Sequence, residues 1–194
     1  MARIRVKGSA GFYVLLVWFA AVNGVRPLVT VLSAACVHEC GHWAALRRCG
    51  ARVTGFRLGV YGAVIESDAV RLSYARELFC VLAGPGANMA AALFCTLCGN
   101  PSPAFTGANL ILCAFDLLPV RPLDGGRALE LLTAWAAGPA AGEYAARWMS
   151  AAGALALSFG LISLMLGSGG SLWLLPAAAG FLTVAVRECA GNAV

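Results

Sequence analysis

The residues best suited to chemistry form one short motif, His38-Glu39-Cys40-Gly41-His42, which has the pattern HExxH. Side chains four positions apart lie one above the other on a helix, with about 5–6 Å between their Cβ atoms. The imidazoles of His38 and His42 can therefore bind one Zn²⁺ ion together. Glu39 lies one step round the helix, where its carboxylate can take a proton from an attacking water molecule.

The surroundings of this motif argue against a chance match. His38 and His42 are the only 2 histidines in the chain, and they lie with Glu39 in the middle of an apolar run. Ionisable groups are costly inside a membrane and usually mark functional sites. The motif therefore predicts a metal site that holds one Zn²⁺ per chain.

A catalytic zinc site commonly has three protein ligands and leaves the fourth position to water. Candidates for the third ligand are the acidic or thiol groups at similar depth, which are Asp116, Asp124, Cys36, Cys40 and Cys113. Asp124 is favoured, because prolines and glycines around it bend the backbone and can bring its carboxylate to a metal on another helix. Asp116 is the second candidate. Cys40 points about 200° away from His38 at about 100° per residue, so we expect it to pack.

Two other functions are compatible with a histidine pair in a membrane protein. A polytopic metal transporter could use the histidines and a carboxylate as a site on its pathway, but it would gain little from a glutamate that is not a ligand. A non-catalytic zinc-binding membrane scaffold would more typically have four protein ligands, often cysteines. Glu39 and the set of three good ligands favour a hydrolase.

The composition indicates a membrane protein. Of the 194 residues 60% are hydrophobic and 12% charged, whereas soluble domains are about 45–50% apolar and about 25% charged. The net charge of +5 comes from basic residues scattered between apolar runs, which excludes the basic stripe that nucleic acid requires. Most of the 8 cysteines lie in apolar segments, so we expect free packing thiols.

About 20 helical residues cross a bilayer core of about 30 Å, and six segments approach this length. They are residues 8–25, 27–46, 78–99, 104–119, 149–166 and 172–186. Residues 128–135 are expected to form a short interfacial helix that ends at Gly138-Pro139. The predicted fold is an all-α membrane protein with about six transmembrane helices, in a single domain over residues 1–194 with its catalytic core at about 27–127.

The loop between the second and third segments predicts a short membrane-associated β-hairpin. Residues 52–66 contain β-branched and aromatic side chains, and Gly59 and Gly62 can form the turn. All of the 14 Lys and Arg residues except Arg26 fall on one side of the membrane in this topology, which places the N-terminus and the active site towards the cytoplasm. The first segment is also similar to a signal peptide, but no clear cleavage site precedes Arg26, which favours an uncleaved helix.

Three blocks of sequence together resemble the site-2 proteases, which are intramembrane zinc metalloproteases. The blocks are His38–His42, the stretch Glu77-Leu-x4-Ala83-Gly84-Pro85-x-x-Asn88, and residues 109–127, which contain Pro-Leu-Asp-Gly-Gly. The compact six-helix form is most similar to the branch that contains stage IV sporulation protein FB. The resemblance implies that His38, His42 and Asp124 are the zinc ligands and that Glu39 is the general base.

The resemblance also implies a substrate. It would be a membrane-tethered protein of a bacterial cell membrane, cleaved in or near its transmembrane segment, and a regulatory membrane protein would be a further partner. The hairpin, including Gly59, would pair with an unwound substrate strand. Asn88 and Asp116 are the other candidate substrate-binding residues.

The sequence departs from the family pattern in two ways. The family usually has Asn at the position of Asp116, and a protonated Asp116 could donate a hydrogen bond to the substrate backbone as Asn does. We therefore expect Asp116 to contact the substrate and Asp124 to bind the metal. Neither an inserted PDZ domain nor a C-terminal nucleotide-sensing CBS domain is expected in this chain.

Overall fold

The computed structural model of the chain describes residues 5–59, 62–67, 72–167 and 174–191. The strands are β1 (Arg5–Gly8), β2 (Val53–Gly59) and β3 (Gly62–Ser67). The helices are α1 (Ala10–Asn23), α2 (Val25–Arg48), α3 (Tyr74–Leu97), α4 (Pro103–Asp116), α5 (Asp124–Ala137), α6 (Pro139–Gly167) and α7 (Leu175–Ala190). The helical character of the predicted fold is confirmed, although the start of the sixth segment, residues 172–173, lies outside the described residues.

The chain divides into two compact units, Met1–Phe115 and Asp116–Val194. The first unit contains the three strands, α1 to α3 and all of α4 except its last residue, and the second contains α5 to α7. His38 and His42 thus belong to the first unit, and Asp116 and Asp124 to the second.

The sheet contains the predicted hairpin and one further strand. Strands β2 and β3 pair antiparallel with Gly59 opposite Gly62, and residues 60–61 of the expected turn lie outside the described residues. β1 pairs parallel with β2, with Arg5 opposite Gly55, so the strand order is β1-β2-β3. β1 was not predicted, because a strand of 4 residues is too short to show an alternating pattern. Its pairing partner is also distant in sequence.

In the first unit α2 packs directly against α3. A Cβ atom added to Gly41 of α2 would overlap the carbonyl oxygen of Ala83 and lie 2.7 Å from the Cβ of Ala87. Small residues allow such close approach of helix backbones. The Asn88 side chain of α3 reaches across the interface and donates from Nδ2 to the carbonyl of Ala34, at 3.0 Å.

In the second unit α6 packs against both α5 and α7. The helix predicted for residues 128–135 is found as α5, which ends at Ala137 and is followed by Gly138, whose φ of 93° is readily adopted only by glycine. Small side chains such as Ala154 and Ala185 are buried in this unit. Ser158 adds a hydrogen bond between helices, from its Oγ to the carbonyl of Ala178 at 3.2 Å.

Length and exposure of the helices agree with a membrane protein. Among the described residues, α3 with 24 residues and α6 with 29 are long and apolar enough to cross a bilayer. Large apolar side chains on these helices point outward; Leu97 is 78% exposed and Phe159 74%. α1 and α4 have 14 residues each and reach only about 21 Å at about 1.5 Å per residue. The count of six spans therefore stays a prediction.

Candidate metal centre

His38 and His42 meet on one face of α2. Their ring centroids are 4.6 Å apart with the planes at 81°, and their Nε2 atoms are 3.0 Å apart. His38 is 8% exposed and His42 is half-buried. The two imidazole rings therefore present the same nitrogen to one point, as the four-residue spacing predicts.

A backbone carbonyl determines the tautomer of His42. Nδ1 of His42 lies 2.8 Å from the carbonyl oxygen of Cys80 in α3. A carbonyl oxygen can only accept a hydrogen bond, so Nδ1 of His42 carries the hydrogen and donates it. In the neutral ring Nε2 then has a lone pair and no hydrogen.

An amide network determines the tautomer of His38 in the same way. Nδ1 of His38 lies 2.8 Å from Oδ1 of Asn88. The amide orientation of Asn88 is defined, because its Nδ2 donates to the carbonyl of Ala34 and, at 2.8 Å, to Oδ1 of Asn109. Asn109 in turn donates from Nδ2 to the carbonyl of Phe105 at 2.9 Å. Oδ1 of Asn88 is therefore the acceptor, and Nδ1 of His38 donates to it.

Both Nε2 atoms are thus lone-pair donors to a cation. Two neutral imidazoles that carry their hydrogens on Nδ1 cannot hydrogen-bond to each other through Nε2 at 3.0 Å. Neutral imidazole nitrogens whose second nitrogen is held by an acceptor are typical zinc ligands. The donor set of this pair therefore fits Zn²⁺.

Gly84 of α3 makes room for the two rings. A Cβ atom on Gly84 would overlap the imidazole of His42 and lie 2.8 Å from Cε1 of His38. The role of Gly84 was not predicted from the sequence. A glycine next to Pro85 inside a helix is a signal that could have pointed to a close approach.

Asn88 is buried inside the first unit. It was expected to contact substrate, but its side chain is fully buried at 0% exposure, and both its amide atoms are used inside the protein. The structure therefore gives it contacts with His38 and with the first unit's core instead of a surface for substrate. Asn109, which supports Asn88, is also 0% exposed.

Glu39 is half-buried, and its Oε2 is shielded from solvent. All 8 cysteines are free thiols, as predicted. Cys36 and Cys40 are exposed, however, instead of packed inside. The outer surface of a membrane protein is itself apolar, so a small hydrophobe such as cysteine fits there too.

Asp124 is the first residue of α5 and is half-buried. Its position follows from the two glycines after it. A Cβ on Gly125 would overlap the carbonyl of Leu117, and a Cβ on Gly126 would lie 2.7 Å from the carbonyl carbon of Val120. Val120 is itself 1% exposed. The segment before α5 therefore packs tightly against the start of the helix. This packing fixes the position of Asp124, the first residue of α5.

The other two predicted site residues lie at the ends of elements. Asp116 is the last residue of α4 and is half-buried. Gly59 is the last residue of β2, half-buried, and precedes the part of the turn outside the described residues. Contacts with a substrate at Asp116 and Gly59 stay predictions.

Known proteins share part of this sequence and its fold. No protein-family model matches the chain. It is 31% identical, over 136 residues that cover 63% of this chain, to a protein named "Putative zinc metalloprotease Rip3" in two strains of Mycobacterium tuberculosis. The aligned stretch spans only 34% of the length of that relative.

The structure matches that of the site-2 protease from Methanocaldococcus jannaschii. The TM-score is 0.65 at 19% sequence identity, and the match covers 97% of this chain and 91% of that chain. The chain therefore has a site-2 protease fold. The narrower resemblance to the branch of stage IV sporulation protein FB stays a prediction.

Proposed function

We propose that this protein is an intramembrane zinc metalloprotease that hydrolyses peptide bonds in or near the transmembrane segments of membrane-tethered proteins. The observation that carries the proposal is the pair of Nε2 atoms 3.0 Å apart, each on a ring whose Nδ1 donates to a buried acceptor. The fold of a site-2 protease and the similarity to a protein named as a zinc metalloprotease support the same activity.

In this proposal His38, His42 and Asp124 hold one Zn²⁺. Two imidazoles and one carboxylate are a common catalytic zinc ligand set, which leaves a fourth position for water or substrate. Asp124 is supported by its half-buried carboxylate at the first position of α5. The tight fold of the preceding segment also supports it, because that segment gives Asp124 a defined place.

The chemistry that bound zinc supplies is activation of water and polarisation of the scissile carbonyl. Glu39 takes the proton of the attacking water on its carboxylate and passes it to the leaving amide nitrogen. Its half-buried position next to His38 supports this role, because shielding from bulk water keeps the transferred proton in the site. Asn88 orients His38 and does not touch the substrate.

The substrate must unwind before it can be cleaved. A transmembrane helix has its amides hydrogen-bonded internally, so the released backbone groups need new partners. Strand β3 is at an edge of the sheet, and an unwound substrate can add there as a further strand beyond the hairpin that contains Gly59. In this proposal the protein is a multi-pass protein of a bacterial cell membrane, and the positive-inside distribution supports the orientation with its N-terminus in the cytoplasm.

The test uses the protein purified in lipid nanodiscs and a membrane-tethered reporter substrate followed by gel. We expect about one Zn²⁺ per chain and cleavage that a strong chelator stops. Glu39→Gln should retain zinc and lose cleavage, whereas His42→Ala should lose both. Zinc transport by Glu39→Gln at the wild-type rate would instead favour a metal transporter. Equal zinc in His42→Ala and wild type would overturn the metal site.

A further inference from the structure

Arg121 is a largely shielded cation in the second unit that the proposed chemistry does not use. It lies in the segment between α4 and α5, three residues before Asp124, and its side chain is only 11% exposed. A guanidinium that is largely removed from water is costly unless several acceptors surround it. The contacts of Arg121 therefore indicate what the residue stabilises.

The guanidinium binds carboxylates on three helices. Glu143 of α6 accepts two hydrogen bonds, from Nη1 at 3.1 Å and from Nη2 at 2.9 Å. Glu130 of α5 accepts from Nη2 at 3.0 Å. Glu188 of α7 forms an ion pair with Nη1 at 3.6 Å. A forked pair with one carboxylate is the geometry that arginine, unlike lysine, can form.

The backbone of Arg121 is anchored as well. Its amide N–H donates to Oγ of Ser150 in α6 at 2.9 Å, and Ser150 is fully buried. A Cβ on Gly153, one turn later in α6, would lie 2.6 Å from Cγ2 of Val120. Side chain and backbone together therefore join the segment before Asp124 to every helix of the second unit.

The positive charge of Arg121 also stabilises the ionised form of Glu188. Glu188 is 1% exposed, and its Oε1 has no hydrogen-bond partner among the residues that the structure describes, so its ionised form depends on a nearby cation. Burial by itself lowers the pKa of Arg121, but the hydrogen bonds with Glu143 and the charges of the other glutamates outweigh it and raise the pKa above its ordinary value. The guanidinium thus stays charged at all physiological pH values.

Arg121 and Asp124 line the same cavity of the second unit, which has a volume of about 440 Å³ and also includes Glu143. The segment between them is short. Because Gly125 and Gly126 have no side chain, the backbone that precedes Asp124 lies directly against the start of α5. A shift of Arg121 would therefore move the first residue of α5 with it.

We propose that Arg121 is a positioning residue for the metal centre: its fork to Glu143 and its bonds to α5 and α7 hold the 117–123 segment so that the Asp124 carboxylate keeps the orientation needed for zinc. This inference rests on the proposed function, since it takes Asp124 as a ligand. Partners that orient metal ligands are typically worth about 10–100-fold in metal affinity.

Arg147 provides a matched control in the same unit. It donates from Nε to the carbonyl of Glu188 at 2.7 Å and from Nη2 to the carbonyl of Cys189 at 3.1 Å. These bonds stabilise the end of α7 and not the segment before Asp124. Replacing either arginine by lysine keeps the charge and removes the planar set of donors.

The experiment measures the zinc affinity of full-length protein in nanodiscs by competition with a chromophoric chelator, together with the unfolding temperature of the metal-free protein. We expect Arg121→Lys to weaken zinc binding by about tenfold or more. Arg147→Lys should lower the unfolding temperature of the metal-free protein to a similar extent and bind zinc as wild type does. Equal zinc affinity in the two variants would overturn the proposal.

Two further variants keep the test decisive. If Arg121→Lys does not fold, Glu143→Gln, at a side chain that is 55% exposed, removes one partner of the fork; weaker zinc binding supports the proposal and wild-type affinity overturns it. Asp124→Ala distinguishes failure of the proposed ligand set from failure of the role of Arg121. If it binds zinc as tightly as wild type, the ligand set of the proposed function is wrong and this inference fails with it.

Discussion

The hydrogens on Nδ1 decide how His38 and His42 can bind a cation. Each ring donates to an acceptor whose orientation is defined, a backbone carbonyl for His42 and the Asn88 amide for His38. Both Nε2 atoms are therefore available as ligands in the same tautomer. Metal binding therefore depends on the groups that accept these hydrogen bonds as well as on the two imidazoles.

Asn88→Ala should weaken zinc binding by about 10–100-fold, because His38 loses the acceptor that selects its tautomer and ring orientation. Zinc affinity would be measured by chelator competition. Thr106→Val is the control, since Thr106 is also a buried polar residue of the first unit but bonds to Asn100 instead of a histidine. Unchanged zinc affinity in Asn88→Ala would contradict the role of Asn88.

The two aspartates of the second unit should behave differently. Asp116→Asn should keep zinc and cleavage and should remove any loss of rate as the pH rises, because Asn cannot ionise. Asp124→Asn should lose zinc, since a neutral amide is a poor zinc ligand. Metal analysis and the pH profile of cleavage would check both. If Asp116→Asn empties the site while Asp124→Asn leaves it filled, the two residues exchange roles.

At the scale of elements, the metal centre depends on how closely α2 and α3 approach. The helices touch at Gly41 of α2 and Gly84 of α3. A methyl group on Gly41 would overlap the backbone of α3, and one on Gly84 would overlap the imidazole of His42. α3 also supplies the acceptors for both rings, Cys80 and Asn88. The two helices therefore form the histidine part of the site as a pair.

Gly84→Ala should reduce zinc content strongly, because its Cβ would displace the His42 ring. In an unconstrained helix position the same change stabilises by up to about 1 kcal/mol. Gly86→Ala is the matched control on the same helix, since its Cβ would lie within 4 Å of no described residue beyond the neighbouring backbone of α3. We expect Gly86→Ala to keep zinc and to unfold at the wild-type temperature or slightly above. Full zinc content in Gly84→Ala would contradict the steric argument.

At the scale of the whole molecule, a bound metal should stabilise the fold. A ligand that binds only the folded state adds about 2.7 kcal/mol at a free concentration of 100 times its Kd. The unfolding temperature in nanodiscs should therefore rise with buffered free Zn²⁺ and fall with a chelator. Mg²⁺, which prefers oxygen ligands, should have little effect. A zinc-dependent rise that persists in His42→Ala would place the binding elsewhere.

Much of the molecule could be predicted from local patterns in the sequence. The predicted apolar segments form helices where they are described, Gly59 and Gly62 pair at the end of a hairpin, and the spacing of His38 and His42 brings their Nε2 atoms together. These features depend only on residues close in sequence. The period of a helix or strand determines which of them share a face.

Tertiary structure decided the remainder. The parallel pairing of β1 with β2, the burial of Asn88, the space at Gly84 and the contacts of Arg121 with three helices all join residues far apart in the chain. A hydropathy pattern indicates that a face is buried but does not identify the side chain opposite. Which side chains meet depends on the distance between two packed helices. Here close backbone contact at single glycines sets that distance.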